Sequence, residues 1–237
     1  MKTLRLAKSE LDIAASMIKA GDTVAFPTDT VYGLGADATN EAAVQKIFNA
    51  KGRPSDRPIS VLVGSVQSID KYAMDVPKQA KILANEFWPG PLTIILKDAG
   101  FFAASVTAGR KTVGLRMPDN KIALEFIQKC EVPLATPSAN TSGRPSPTQS
   151  EHVLGDLDGK IAAVIDGGET SYGIESTVLD FSNPDQPIIL RPGNISREAI
   201  EEVIQQKVFL LEDLTNQDGN QEKHYEPKIP VYIVRSS

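Results

Sequence analysis

The sequence holds a single cysteine, Cys130, which excludes an internal disulfide and any cysteine-based zinc cage. Its position near the end of a predicted helix suits a small, buried, apolar residue. Positive charge is not in excess: 25 Lys and Arg stand against 30 Asp and Glu, for a net charge of −5. Nonspecific binding of nucleic acid through overall charge is therefore excluded, and any RNA contact needs a local basic surface. No run approaches the roughly 18 apolar residues of a membrane span. The opening MKTLRLAKSELDI also lacks the continuous apolar core of a signal peptide. The sequence thus reads as cytoplasmic, with no membrane partner. Two nucleotide signatures are missing as well. Gly33 and Gly35 lack the third glycine of GxGxxG, and there is no Walker A segment. A bound nucleotide would have to be held outside the common glycine-rich loops.

What is present is enough apolar material for a real core, with 41% hydrophobic and 23% charged residues in 237. That length suits one large α/β domain with an appendage. The stretch KGRPSDRP, from Lys51 to Pro58, sets Lys51, Arg53 and Arg57 within seven residues, bracketed by Gly52, Pro54 and Pro58. The prolines fix φ and push their predecessors out of helical geometry, so the cations are expected on a stiffened loop with converging heads. Guanidinium forks held in this way suit phosphate or carboxylate; a solvated charged turn is the equal alternative from this stretch alone.

Along the chain, Ser9 and Glu10 open an amphipathic stretch with Leu11, Ala14, Met17 and Ile18 on one face, and Gly21 follows as a helix stop. Thr23 to Phe26 reads as a buried strand running into a binding loop, Pro27 to Ala38. Helices are predicted over Glu41 to Asn49, Val76 to Phe87 and Asp119 to Gln128, and from Ser196 to about Gln205. Strands are predicted at Pro58 to Val63, Trp88 to Leu96, Thr112 to Met117, Val132 to Thr136, Ile161 to Ile165, Ser176 to Phe181 and Ile188 to Leu190. Arg116 lies inside an apolar strand, where a charge must be paired or face a ligand cleft. Pro137 to Thr148 carries five hydroxyls and three prolines, the make-up of a lid, a binding loop or a disordered linker. Residues 1–205 are read as one domain. Residues 206–237 are read as a polar linker and an extended C-terminal segment, ending in HYEPKIPVYIVRSS.

Several of these segments resemble one family in its own order: PTDTVYGLGADA, KGRPSDRP, WPGPLTIIL, TVGLRMPD, TPSANTSGRPSPT, ESTVLDF and ILRPG. They are similar to the YrdC-like threonylcarbamoyl-adenylate synthases over about Ala15 to Ile204. The tail HYEPKIPV resembles the interdomain linker of that family's longer branch, whose further C-terminal domain is not in this sequence. The resemblance therefore implies either a shortened or a naturally short member.

The resemblance implies a single α/β domain, with a twisted, mixed parallel and antiparallel sheet curved around a basic cleft and helices packed outside. It implies a nucleotidyltransferase that makes threonylcarbamoyl-AMP and pyrophosphate from L-threonine, bicarbonate and ATP, with Mg2+ sharing the phosphate charge. A threonylcarbamoyl-transferase complex acting on tRNA would take the product. By the same resemblance Thr30, Arg116, Thr136 and Ser176 hold threonine, with Arg116 on its carboxylate. Lys51, Arg53, Arg57, Thr112, Ser138, Asn140, Ser146 and Arg191 line the ATP side, Lys51 and Arg53 being the catalytic pair. Tyr225, beside His224, folds back over the nucleotide. No metal ligand and no general base is assigned. Leu62 stands where many relatives have a histidine, and Arg57 where asparagine is common. Two other readings stay open: an RNA-binding or ribosome-associated module, and an ATP-dependent carbamoyl-transfer enzyme with another acceptor.

Overall fold

A computed structural model describes residues 2–212. The first half of the chain runs β1 (Leu4–Ala7), α1 (Leu11–Lys19), β2 (Val24–Pro27), β3 (Tyr32–Asp37), α2 (Glu41–Lys51) and β4 (Val61–Leu62). It continues through α3 (Ser68–Tyr72), β5 (Ala73–Met74), α4 (Lys78–Phe87), β6 (Leu92–Asp98), α5 (Ala104–Thr107) and β7 (Thr112–Arg116). The second half adds α6 (Lys121–Cys130), β8 (Leu134–Ala135), α7 (Ser150–Leu157) and β9 (Ala163–Asp166). It closes with β10 (Thr177–Asp180), β11 (Ile188–Arg191), α8 (Arg197–Ile204) and β12 (Phe209–Leu210).

The strands form one sheet in the order β1-β9-β2-β3-β8-β4-β7-β6-β10-β11-β12, with β5 paired to β6 off this path. Pairing is mixed, as expected. β1 with β9, β4 with β7 and β6 with β10 are parallel, whereas β2 with β3, β3 with β8 and β6 with β7 are antiparallel.

Side chains alternate between the faces of a strand, and here successive residues enter different cores. Val24 and Phe26 of β2 belong to one hydrophobic cluster while Ala25 belongs to the other. The same division separates Leu134 from Ala135 on β8, and Leu62 from Val61 on β4. The smaller cluster is closed by Leu11, Ala14 and Ile18 of α1 and by Phe126, Ile127 and Cys130 of α6. There the Phe26 and Phe126 rings meet edge-on, with centroids 5.0 Å apart. The larger cluster takes residues from α2, α4, α7 and α8. The sheet is thus covered by helices on both faces.

Local sequence explains most boundaries. The side chains of Asn40, Asn120 and Ser196 accept hydrogen bonds from the N–H groups of Ala43, Ala123 and Ala199, so α2, α6 and α8 start where a capping residue stands. Gly52 ends α2 at φ 61°, a left-handed conformation that suits glycine.

Three expectations need correction. The binding loop over Pro27 to Ala38 is mostly strand: β3 pairs antiparallel with β2, which leaves only Thr28 to Val31 as the turn. Gly33 and Gly35 serve packing in that hairpin. A Cβ on Gly33 would lie 2.4 Å from Thr136 Cγ2, and one on Gly35 would lie 2.8 Å from the Phe26 ring. Lys51 is not on the basic loop but is the last residue of α2, because nothing before Gly52 interrupts the helix. β1, α3, β5, α5 and β12 were not expected; they are short and, in β1 and β12, paired to the more distant β9 and to β11, so that β12 extends the sheet into the stretch read as linker.

Candidate active site

One cleft of about 500 Å³ opens over the middle of the sheet. It is lined by twelve residues singled out in the sequence: Thr30, Lys51, Arg53, Arg57, Thr112, Arg116, Thr136, Ser138, Asn140, Ser146, Ser176 and Arg191. Adding Arg110 and Arg144, seven cationic side chains line it against one carboxylate, Glu175. The chain is acidic overall, yet the cleft is a local basic surface that focuses positive potential on a ligand.

Arg116 ends β7 beside Leu62 of β4, its register partner. The residue is 6% exposed. Its Nε donates to Gly90 O at 3.0 Å, its Nη1 to Thr30 Oγ1 at 3.0 Å, and its Nη2 to Asp29 Oδ1 in a buried ion pair. Burial pushes the Arg116 pKa down, opposed mainly by Asp29. Burial likewise pushes the Asp29 carboxyl up, and Arg116 pulls it back. The sequence left Arg116 either paired or facing a ligand, and both hold at once.

Thr30 is fixed by its own turn and by a neighbouring loop. Thr28 Oγ1 donates to Val31 O at 2.6 Å and accepts the Thr30 N–H at 3.2 Å. The N–H groups of Tyr172 and Gly173 donate to Asp29 O and Thr30 O, both at 2.9 Å. Thr136 leads out of β8, its N–H bonded to Ser60 O at 2.8 Å and its hydroxyl to Leu134 O at 2.9 Å. Leu62, where the resemblance expected histidine, is 3% exposed and belongs to the α1–α6 core as well as to the cleft wall.

On the opposite side, Arg53 donates through Nη2 to Pro58 O at 3.0 Å, while its Nε is buried without a partner. Burial, then the neighbouring Arg57, lowers the Arg53 pKa. Two guanidinium groups that repel each other in this way are relieved by a bound polyanion.

The long loop from Pro137 to Thr148 is a tethered binding loop. Leu34 N donates to Pro137 O, Ala139 N to Tyr32 O and Tyr32 N to Pro147 O, all at 2.8 Å. Lys51 secures it from below: its buried ammonium donates to Ser138 O, and to Asn140 O at 2.5 Å. Desolvation, then Arg53, lowers the Lys51 pKa to about 7. Asn140 Nδ2 holds Thr141 O and Arg144 O, whereas its Oδ1 is buried and unpartnered. Ser146 donates to Glu175 at 2.5 Å.

The two predicted sets meet at Ser176. Arg191, expected on the ATP side, donates to Ser176 O at 2.9 Å and to Ser176 Oγ at 3.2 Å, and the Thr93 and Ser176 hydroxyls lie 2.8 Å apart. Asp29, Thr93, Arg110, Arg144 and Glu175 were missed. Asp29 and Arg144 sit inside motifs already singled out, and Arg110 stands two residues before Thr112; only the fold brings them together. Tyr225 and His224 lie outside the described residues. Among the described residues no three His, Cys, Asp or Glu side chains gather as a metal site, and no helix is long and apolar enough to cross a membrane.

A mixed α/β fold carries here a cleft rich in cationic and hydroxyl side chains, with a buried arginine beside a threonine hydroxyl, a lining suited to an anionic ligand. The Sua5/YciO/YrdC family model, described as "Telomere recombination", matches residues 16–193, and the chain belongs to this family. It is 44% identical over 236 residues to the threonylcarbamoyl-AMP synthase of Pyrococcus abyssi, covering 97% of this chain and 69% of that protein. It is 46% identical over 233 residues to the Bacillus subtilis threonylcarbamoyl-AMP synthase, covering 94% and 66%. The crystal structure of Pyrococcus abyssi Sua5 complexed with L-threonine superposes with a TM-score of 0.83 at 45% identity, covering 88% of this chain and 62% of that one. Escherichia coli YciO shares the fold, with a TM-score of 0.74 at 22% identity. The chain thus spans about two thirds of the length of these Pyrococcus abyssi and Bacillus subtilis relatives.

Proposed function

We propose that the protein is a threonylcarbamoyl-AMP synthase, a nucleotidyltransferase that converts L-threonine, bicarbonate and ATP into threonylcarbamoyl-AMP and pyrophosphate for the modification of tRNA. The observation that supports this reading is that twelve residues implied by the family resemblance line one cleft together, with Arg116 bonded to Thr30 and seven cationic side chains in its wall. The relatives' names and the L-threonine in the Pyrococcus abyssi structure support it.

In this reading Arg116 takes the threonine carboxylate, and Thr30, Thr136 and Ser176 hold the rest of the amino acid. Arg53, Arg57, Thr112, Ser138, Asn140, Ser146 and Arg191 hold the nucleotide, with Tyr225 as a further nucleotide-binding residue. The threonine nitrogen attacks the bicarbonate carbon and water leaves, giving a carbamate. A carbamate oxygen then attacks the α-phosphorus, and the bond to the β-phosphate breaks to release pyrophosphate. The side chains supply positive charge and alignment, which serve phosphoryl chemistry without a dedicated base. Lys51 acts by fixing the loop that carries Ser138 and Asn140. Magnesium would arrive as the Mg–ATP substrate, its charge shared with the triphosphate. A threonylcarbamoyl-transferase complex acting on tRNA would consume the product.

The test is pyrophosphate release from ATP and bicarbonate, with and without L-threonine, on wild type and Arg53→Ala. Threonine-dependent release that Arg53→Ala lowers at least a hundredfold, roughly the loss of one preorganised electrostatic donor, is expected. Release indifferent to threonine, from a folded protein, would refute the assignment.

A further inference from the structure

Asp29 has no part in the reaction as derived above, and it does not line the cleft, although its neighbours Thr28 and Thr30 do. It lies behind Arg116 at 2% exposure. One carboxylate oxygen accepts from Arg116 Nη2, while the other, Oδ2, is shut from solvent without a hydrogen-bond partner. A guanidinium has five N–H donors. Here Gly90 O, Thr30 Oγ1 and Asp29 Oδ1 take one donor from each nitrogen. The two that remain sit one on each terminal nitrogen.

Charge matters as much as orientation. A lone buried arginine beside a triphosphate site would hold phosphate as readily as an amino-acid carboxylate. Paired with Asp29, Arg116 offers directed hydrogen bonds with its charge countered by the carboxylate. The geometry points to Asp29 as the specificity-determining residue that reserves Arg116 for a carboxylate and keeps phosphates out of the threonine recess. This rests on the synthase reading of the site.

Asp29→Asn tests this because the amide keeps the size and an acceptor for Arg116 Nη2 while removing the charge. Asp29→Ser, shorter and also able to accept, serves the same purpose should the amide not fold. In the variant, pyrophosphate and inorganic phosphate are expected to become competitive inhibitors against L-threonine, with the inhibition constant falling on the order of tenfold or more once the neighbouring negative charge is gone. The wild type should show competition against ATP only. Calorimetric titration with pyrophosphate alone should find one more anion site in the variant than in wild type, a result that does not depend on turnover. Unchanged inhibition patterns and stoichiometry in a variant with near-wild-type melting would overturn the proposal. Wild type without threonine-dependent pyrophosphate release would instead refute the synthase reading, and the titration would still decide whether Asp29 excludes phosphate.

Discussion

Lys51→Met separates two roles for the buried lysine. In the structure the Lys51 side chain, 2% exposed, ends on the carbonyls of Ser138 and Asn140. Methionine fills a similar volume and donates nothing, so two buried carbonyls lose their partner at about 1–3 kcal/mol each. Because the lysine itself is uncomfortable in the interior, the net destabilisation should lie near the lower end, about 2–4 kcal/mol in all. For a chain of this size each kcal/mol lowers the melting temperature by about 2–4 °C.

The pH dependence is diagnostic. The Lys51 pKa falls from 10.5 to about 7 on folding, chiefly by desolvation. Between these values the unfolded chain carries a proton that the folded one lacks, so stability rises with pH across the window. A neutral amine still has two N–H groups, enough for both carbonyls. From pH 7 to 9 the advantage of wild type over Lys51→Met should therefore grow by roughly 2 kcal/mol, at up to about 1.4 kcal/mol per unit. Urea unfolding of both proteins at pH 7, 8 and 9 measures it. A flat or shrinking difference would mean the lysine stays protonated in the fold. An unchanged melting temperature combined with lost ATP affinity would refute the loop-anchoring role and make Lys51 a direct phosphate ligand.

Two other consequences can be checked. A Cβ on Gly193 would meet backbone only, 2.3 Å from Thr177 N and 2.6 Å from Ser176 C. Gly193→Ala should thus lose about 1–3 kcal/mol or more and shift Ser176, which denaturant unfolding and the KM for threonine would reveal; wild-type values for both would show that the contact is not tight. Burial pushes the Cys130 thiol from 9.0 up to about 12, so the folded chain resists ionisation that the unfolded chain allows. The thiol's contribution is full below pH 9 and lost as pH rises toward 12, at about 1.4 kcal/mol per unit. Cys130→Ala should lack that alkaline loss, and a thiol reagent should label native wild type far more slowly than unfolded protein; fast native labelling would contradict the burial.

The sequence by itself located most of the longer segments and marked one candidate anion-binding stretch. Apolar spacing, and a capping residue at Ser196, located the longer helices, because those signals lie within a turn or two of the residues they govern. The family resemblance named most of the residues that line the cleft, whereas the proline-bracketed cations by themselves left a solvated turn as an equal reading. Only the tertiary structure decided what those groups do. Gly33 and Gly35 read as loop glycines until the pairing of β2 with β3 brought Thr136 and Phe26 against them. Lys51 reads as a phosphate cation, and the fold turns it onto two carbonyls more than eighty residues away in sequence. Asp29 lay inside a quoted motif without a role of its own, since its meaning is a contact with Arg116, 87 positions distant. Residue type and spacing set what a side chain is able to bind; long-range pairing, invisible to any local pattern, sets which partners it has already taken and so what it has left to offer.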